Sequence, residues 1–187
     1  MATIRPGSKQ VLMIVDVQVG VMVEAWERQP VIARIAHAVQ KARAASVPVV
    51  WVQHSNDERL PQGSAAWQWV PELQPGNDEA CIHKRYNSGF EDTPLDALLA
   101  ELGAAHIVLA GAMTNACIRA TAYAALERGY DLTLLEDAHT TASFDVGDGR
   151  RLDAAQVVLD LNLSLRWLRY PGRRNAAVAV DDFSFAA

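Results

Sequence analysis

Ala105-His106-Ile107-Val108-Leu109-Ala110-Gly111, then Ala112-Met113-Thr114-Asn115-Ala116-Cys117, then an alanine-rich run to Arg128 and Gly129, is the stretch that decides the fold. Its first part is a continuous apolar run, the pattern of a strand covered on both faces, as in a parallel sheet. Its last part, Ala116 to Arg128, is rich in helix formers and closes at Gly129, a favoured C-cap residue. Only a short turn separates the two. A strand delivered into a helix this way is half of a βαβ unit.

Working outward, the same alternation recurs. Val11-Leu12-Met13-Ile14-Val15 is a second apolar run, stopped by Asp16-Val17-Gln18. Pro30 opens a segment with Val31, Ile32, Ile35, Val39 and Ala42 at helical spacing. Val47 to Val52 reads as a strand that ends in Gln53-His54-Ser55-Asn56. Ala80 to Lys84 is a short strand, and Thr93-Pro94 opens a helix with Leu95, Leu98, Leu99 and Leu102, closed by Gly103. Beyond Gly129, Leu132 to Leu135 is a strand ending in Glu136-Asp137. Residues 151–169 read as a helix, and Ala176 to Val180 as a last strand. The order predicts an α/β fold over residues 1–187, a single-domain, three-layer α/β/α sandwich. Its sheet is mostly parallel and Rossmann-like, with about six strands. Residues 55–79 carry Pro61, Gly63, Pro71, Pro75 and Gly76 and no clean period. They read as a long loop with a short helical turn near Trp67-Trp69, of the kind that covers a site.

Composition narrows the function classes. Of 187 residues, 50% are hydrophobic and 21% charged, which suits a globular chain. A net charge of -5, with basic residues only in short pairs such as Arg173-Arg174, leaves no nucleic-acid footprint. No apolar run approaches the roughly 18–20 residues that span a bilayer, and Val11 to Val15 is too short for a signal peptide. A cytoplasmic protein without membrane contact is expected, with Cys81 and Cys117 as free thiols.

In open parallel sheets ligands bind beyond the carboxyl ends of the strands. The residues arriving there are Asp16 and Gln18, His54, Lys84, Thr114 and Cys117, then Asp137 and His139. Cys117 opens a helix, where the macrodipole favours an anionic sulfur by about 0.3–1 kcal/mol and free N–H groups can hold an oxyanion. Cys81 and His83 alternate onto the face opposite Lys84 and read as packing residues. Asp137 and His139, near Thr140-Thr141, read as rim or supporting groups.

These residues resemble the isochorismatase-like cysteine hydrolases, which include nicotinamidase, N-carbamoylsarcosine amidase and ureidoacrylate amidase. The matching blocks are Asp16-Val17-Gln18 after an apolar strand, and Lys84 with Ser88-Gly89-Phe90 and Thr93-Pro94-Leu95 behind it. A third block is Gly111-Ala112-Met113-Thr114-Asn115-Ala116-Cys117-Ile118-Arg119-Ala120-Thr121-Ala122, followed by Gly129-Tyr130 and Asp137-Ala138. The resemblance implies a triad of Asp16, Lys84 and Cys117. Asp16 would take the thiol proton, and Lys84 would favour both anions. It also implies a cis peptide between Ala112 and Met113, with the N–H groups of Met113 and Cys117 turned to the substrate oxygen. The implied reaction cleaves the C–N bond of a small amide, ureide or carbamoyl compound through a thioester.

Two departures sharpen that expectation. Val19-Gly20-Val21 stands where such enzymes often carry Asn-Asp-Phe, so an aromatic wall has to come from Trp26, Trp67 or Trp69. His54 stands alone where nicotinamidases carry an Asp-x-His metal pair, so no metal and no cofactor is expected. Gln18, His54, Trp67 and Thr114 are the candidate substrate-binding residues. Relatives of this kind are commonly homodimers or homotetramers, and five tryptophans suit such an interface. Isochorismatase-type vinyl-ether hydrolysis is a second reading, disfavoured by Cys117. A non-catalytic binding or scaffold protein is a third, disfavoured because all three triad positions are filled.

Overall fold

The apolar runs do form the middle of a parallel sheet. In the computed structural model, which describes residues 4–186, six strands pair in the order β3-β2-β1-β4-β5-β8. They are β1 (Lys9–Val15), β2 (Val49–His54), β3 (Ala80–Lys84), β4 (Ala104–Ala112), β5 (Asp131–Thr140) and β8 (Asn175–Val178), with β6 and β7 in a separate hairpin. Every pairing within the six is parallel. β1 and β4 lie at the centre, which is why Val11 to Val15 tolerate no polar residue: all five are fully buried.

Strand alternation splits that run between two cores. Val11, Met13 and Val15 join Leu95 and Leu99 of α3 (Leu95–Glu101), Ala122 and Leu126 of α4 (Arg119–Glu127), and Leu161 and Leu165 of α5 (Ala154–Trp167). Leu12 and Ile14 face Val31, Ile35 and Val39 of α2 (Arg28–Ala44). Each such aliphatic side chain contributes about 1.5–3 kcal/mol by leaving water, so both faces of the sheet are held. A four-residue α1 (Val19–Met22) follows β1 directly.

Three expectations from the sequence need correction. The last long helix begins at Ala154, not at 151, with Asp153 as its N-cap accepting from the Ala155 N–H at 2.9 Å. Phe144–Gly147 and Arg150–Leu152 form the exposed hairpin β6-β7, because Asp148-Gly149 supplies the left-handed backbone of a tight turn. β5 runs on past Leu135 to Thr140 after a slip against β4, so Glu136 and Asp137 lie inside the strand. Residues 55–79 do form a long loop, as expected, and it is tied down. Val70 donates to the Val17 carbonyl, Val19 to Gln68 and Gly20 to Ala66, so the loop folds back along the segment that follows β1.

Gly111 makes the functional end of the sheet possible. It pairs with Val15 at a φ of 125°, and a Cβ there would sit 2.1 Å from the Val15 carbonyl oxygen. Only glycine lets β4 approach β1 this closely where both strands deliver their polar residues. Asp16, the next residue, takes a left-handed φ of 53°, which aspartate tolerates better than most side chains.

Candidate active site

Three strand ends converge on one buried centre. Asp16 follows β1, Lys84 ends β3, and Cys117 lies in a π turn, Thr114–Ile118, that runs into α4. β2 separates β3 from β1, and strands stand about 4.8 Å apart, so only a long side chain reaches across. Lys84 does so: its Nζ lies 2.7 Å from Asp16 Oδ2 and 3.2 Å from Cys117 Sγ. Nζ also donates to the Tyr86 carbonyl at 3.2 Å and approaches His54 Nδ1 at 3.4 Å. Asp16 is 1% exposed and Lys84 2%, whereas Cys117 keeps 9% of its surface open to solvent. Cys117 is the least buried of the three.

Burial outweighs the helix terminus at the sulfur. Burial, reinforced by the Asp16 carboxylate, pushes the Cys117 thiol up to about 12, and Lys84 only partly offsets this. The resting sulfur is therefore a thiol, and the helix terminus does not by itself make it a thiolate. A nucleophile of this kind needs a base at the moment of attack. Asp16 Oδ1 is buried and has no hydrogen-bond partner among the described residues, so it retains a lone pair for that proton.

The structure sorts the remaining candidates. His54 stands beside the triad, its imidazole held below its ordinary value first by burial and then by Lys84. Gln18 does not face a ligand. It is 0% exposed, donates to the His54 and Trp67 carbonyls at 2.9 and 2.8 Å, and accepts from the His54 N–H at 3.0 Å. Its amide clamps the loop to the end of β2, a role that Gln53 shares by donating to the same Trp67 carbonyl. The Trp67 ring stacks on His83 at 5.6 Å, and alternation along β3 puts His83 on the other face of the sheet from Lys84. Trp69 packs edge-on against Trp51 at 5.3 Å, and Trp26 is tied by its backbone to Thr140 and Thr141. Cys81 is exposed on the edge strand, not packed.

Thr114 and His139 are also buried, which runs against a substrate contact for Thr114 and makes His139 the supporting group rather than the rim group of the two expected. Thr114 Oγ1 lies 2.8 Å from His139 Nδ1, and His139 Nε2 lies 2.9 Å from Asn162 Oδ1. Asp137 instead accepts from the Val180 N–H at 2.9 Å and pairs with Arg34. Sequence reasoning passed over Asn162. The available signal was its place between Leu161 and Leu163 in an apolar helix, because a buried amide there must find partners.

Burial drives His139 down to about 4 from 6.5, which makes folding pH-dependent. Between those values the unfolded chain binds a proton that the folded chain refuses. Stability is therefore full above about pH 6.5, falls as pH drops toward 4, and levels off below. The whole span corresponds to about 3 kcal/mol. Urea denaturation near pH 7 and near pH 4.5 should show this loss in the wild type and a smaller one in His139→Leu; equal losses would refute it.

Among the described residues no group of three or more His, Cys, Asp or Glu side chains is arranged to hold a metal ion, and no helix is long and apolar enough to cross a membrane. A polar cavity of about 390 Å³ lies at the amino ends of the strands, between Arg5, His106, Asp131 and Arg174, and contains none of the triad.

Comparison with known proteins places the chain in a family. The chain is 33% identical over 154 residues to a streptothricin hydrolase of Streptomyces noursei, covering 79% of this chain and 60% of that protein. It is 31% identical over 141 residues to a ureidoacrylate amidohydrolase of Enterobacter sp. strain 638, covering 59% and 61%. The crystal structure of an isochorismatase from Pseudomonas putida KT2440 superposes with a TM-score of 0.83 at 26% identity, over 95% of this chain and 93% of that one. The matched stretch spans 60%, 64% and 54% of the first three curated relatives. The isochorismatase domain model matches residues 10–155, a span that contains Asp16, Lys84 and Cys117, and the chain belongs to the isochorismatase family.

Proposed function

We propose that this chain is a cysteine amidohydrolase that cleaves a non-peptide C–N bond of a small amide, ureide or carbamoyl compound. The observation that carries the reading is the placement of Lys84 Nζ, 2.7 Å from Asp16 Oδ2 and 3.2 Å from Cys117 Sγ. Because the resting sulfur is a thiol, attack and deprotonation are coupled. Sγ bonds to the substrate carbonyl carbon as Asp16 takes its proton. The N–H groups of Met113 and Cys117 hold the resulting oxyanion. Collapse breaks the C–N bond, and Asp16 returns the proton to the leaving nitrogen. Water, deprotonated by Asp16, then hydrolyses the thioester and restores the thiol. Lys84 offsets the negative charge that develops at sulfur as it attacks.

The substrate class follows the relatives named for streptothricin and ureidoacrylate hydrolysis. Two free thiols fit a reducing cytoplasm as the place of action. The test is a panel of small primary amides, ureides and N-carbamoyl compounds, read by ammonia or amine release. Rapid quench and mass spectrometry then locate any acyl adduct. At least one substrate is expected, with its acyl group on Cys117. Hydrolysis of a vinyl ether but no amide, or turnover without an adduct on Cys117, would overturn the proposal.

A further inference from the structure

The nucleophile turn is held from behind by the carboxyl end of β5. His139 pairs in register with Gly111, and Thr140 with Ala112. Thr141 Oγ1 donates to Asn115 Oδ1 at 2.7 Å, and Thr114 meets His139. The second of these side-chain links has a fixed polarity. Asn162 Nδ2 donates to the Glu136 carbonyl at 3.0 Å, so Asn162 Oδ1 is the acceptor that faces His139 Nε2. Nε2 then carries the imidazole proton, Nδ1 is the acceptor, and the Thr114 hydroxyl donates to it. A backbone carbonyl that can only accept thus determines the direction of the hydrogen bonds that run through Asn162 and His139 to Thr114.

Stability alone does not call for such a chain. A fully buried polar pair contributes little net, and apolar groups of the same shape can replace it at nearly no cost. What a directed chain adds over an apolar filling is orientation. It fixes the rotation of Thr114, the residue between Met113 and the segment that ends at Cys117. We propose that His139 and Thr114 are positioning residues that aim the Met113 and Cys117 N–H groups at the substrate oxygen. This inference rests on the amidohydrolase reading above. An oxyanion needs donors within about 3 Å of it, and misplacement by about 1 Å costs up to roughly 100-fold in rate.

Two thiol probes separate aiming from mere support. p-Nitrophenyl acetate acylates a cysteine through a tetrahedral oxyanion: sulfur bonds the acetyl carbon, p-nitrophenolate leaves, and the thiol proton passes to Asp16. Iodoacetamide alkylates by direct displacement of iodide and builds no oxyanion. Both reactions are followed at Cys117 by peptide mapping in the full chain. The proteins are wild type, Thr114→Val, His139→Leu and the double variant; Thr114→Val keeps the side-chain shape in case His139→Leu folds poorly. Acylation is expected to fall roughly 10- to 100-fold in each single variant and no further in the double, as for two members of one chain. Alkylation is expected to stay at the wild-type rate. Equal losses with both probes, unchanged acylation, or multiplicative losses in the double variant would overturn the inference. A wild-type Cys117 that is alkylated but never acylated would instead remove the amidohydrolase reading, and this inference with it.

Discussion

Cys117→Ala is expected to lower turnover of any amide or ureide substrate by about a millionfold, the scale seen when the nucleophile of a covalent hydrolase is removed. The fold should barely change. The side chain is small, and losing one buried heavy atom costs on the order of 0.8 kcal/mol of apolar burial. The remaining Asp16–Lys84 pair stays complete at 2.7 Å. Steady-state ammonia release with a circular-dichroism melt checks both halves of the expectation. Residual turnover near the wild-type level would show that water is activated without the sulfur. Since Cys117 is pushed up to about 12, turnover at neutral pH relies on proton transfer to Asp16, not on a standing thiolate. Asp16→Asn should therefore abolish turnover as thoroughly as the loss of the sulfur.

Lys84→Met should damage stability as well as chemistry. Asp16 is 1% exposed, and its Oδ2 is paired with the lysine ammonium. Removing one member of a buried pair leaves an uncompensated charge and costs about 3–5 kcal/mol. Methionine fills most of the space, so the loss reports on charge rather than on a cavity. Asp16→Asn in the same chain should recover most of that stability, because asparagine tolerates the left-handed backbone at this position and carries no charge. Activity should stay lost in the double variant. Urea denaturation of the three proteins is the measurement. A Lys84→Met protein as stable as the wild type would mean that this pair is not held as a buried ion pair.

The sequence by itself determined the layers and placed Asp16, Lys84 and Cys117 at one rim, where the family resemblance read them as a triad. Continuous apolar runs such as Val11 to Val15 suit strands buried on both faces. Helical spacing from Val31 to Ala42 and from Leu95 to Leu102 supplies the cover. A parallel sheet then brings every strand's carboxyl end to one rim. Asp16, Lys84 and Cys117 were legible there because each ends or follows such an element, where local pattern dictates position. The tertiary structure decided what depends on contacts between elements. Gln18 and Thr114, polar residues in the right segments, turned out to serve the backbone and a buried histidine. Asn162 became a partner of His139 only because α5 crosses the end of β5. The protonation state of Cys117 belongs to the same class. Local helix geometry favours the anion by less than burial and Asp16 oppose it, and burial is a property of the whole fold.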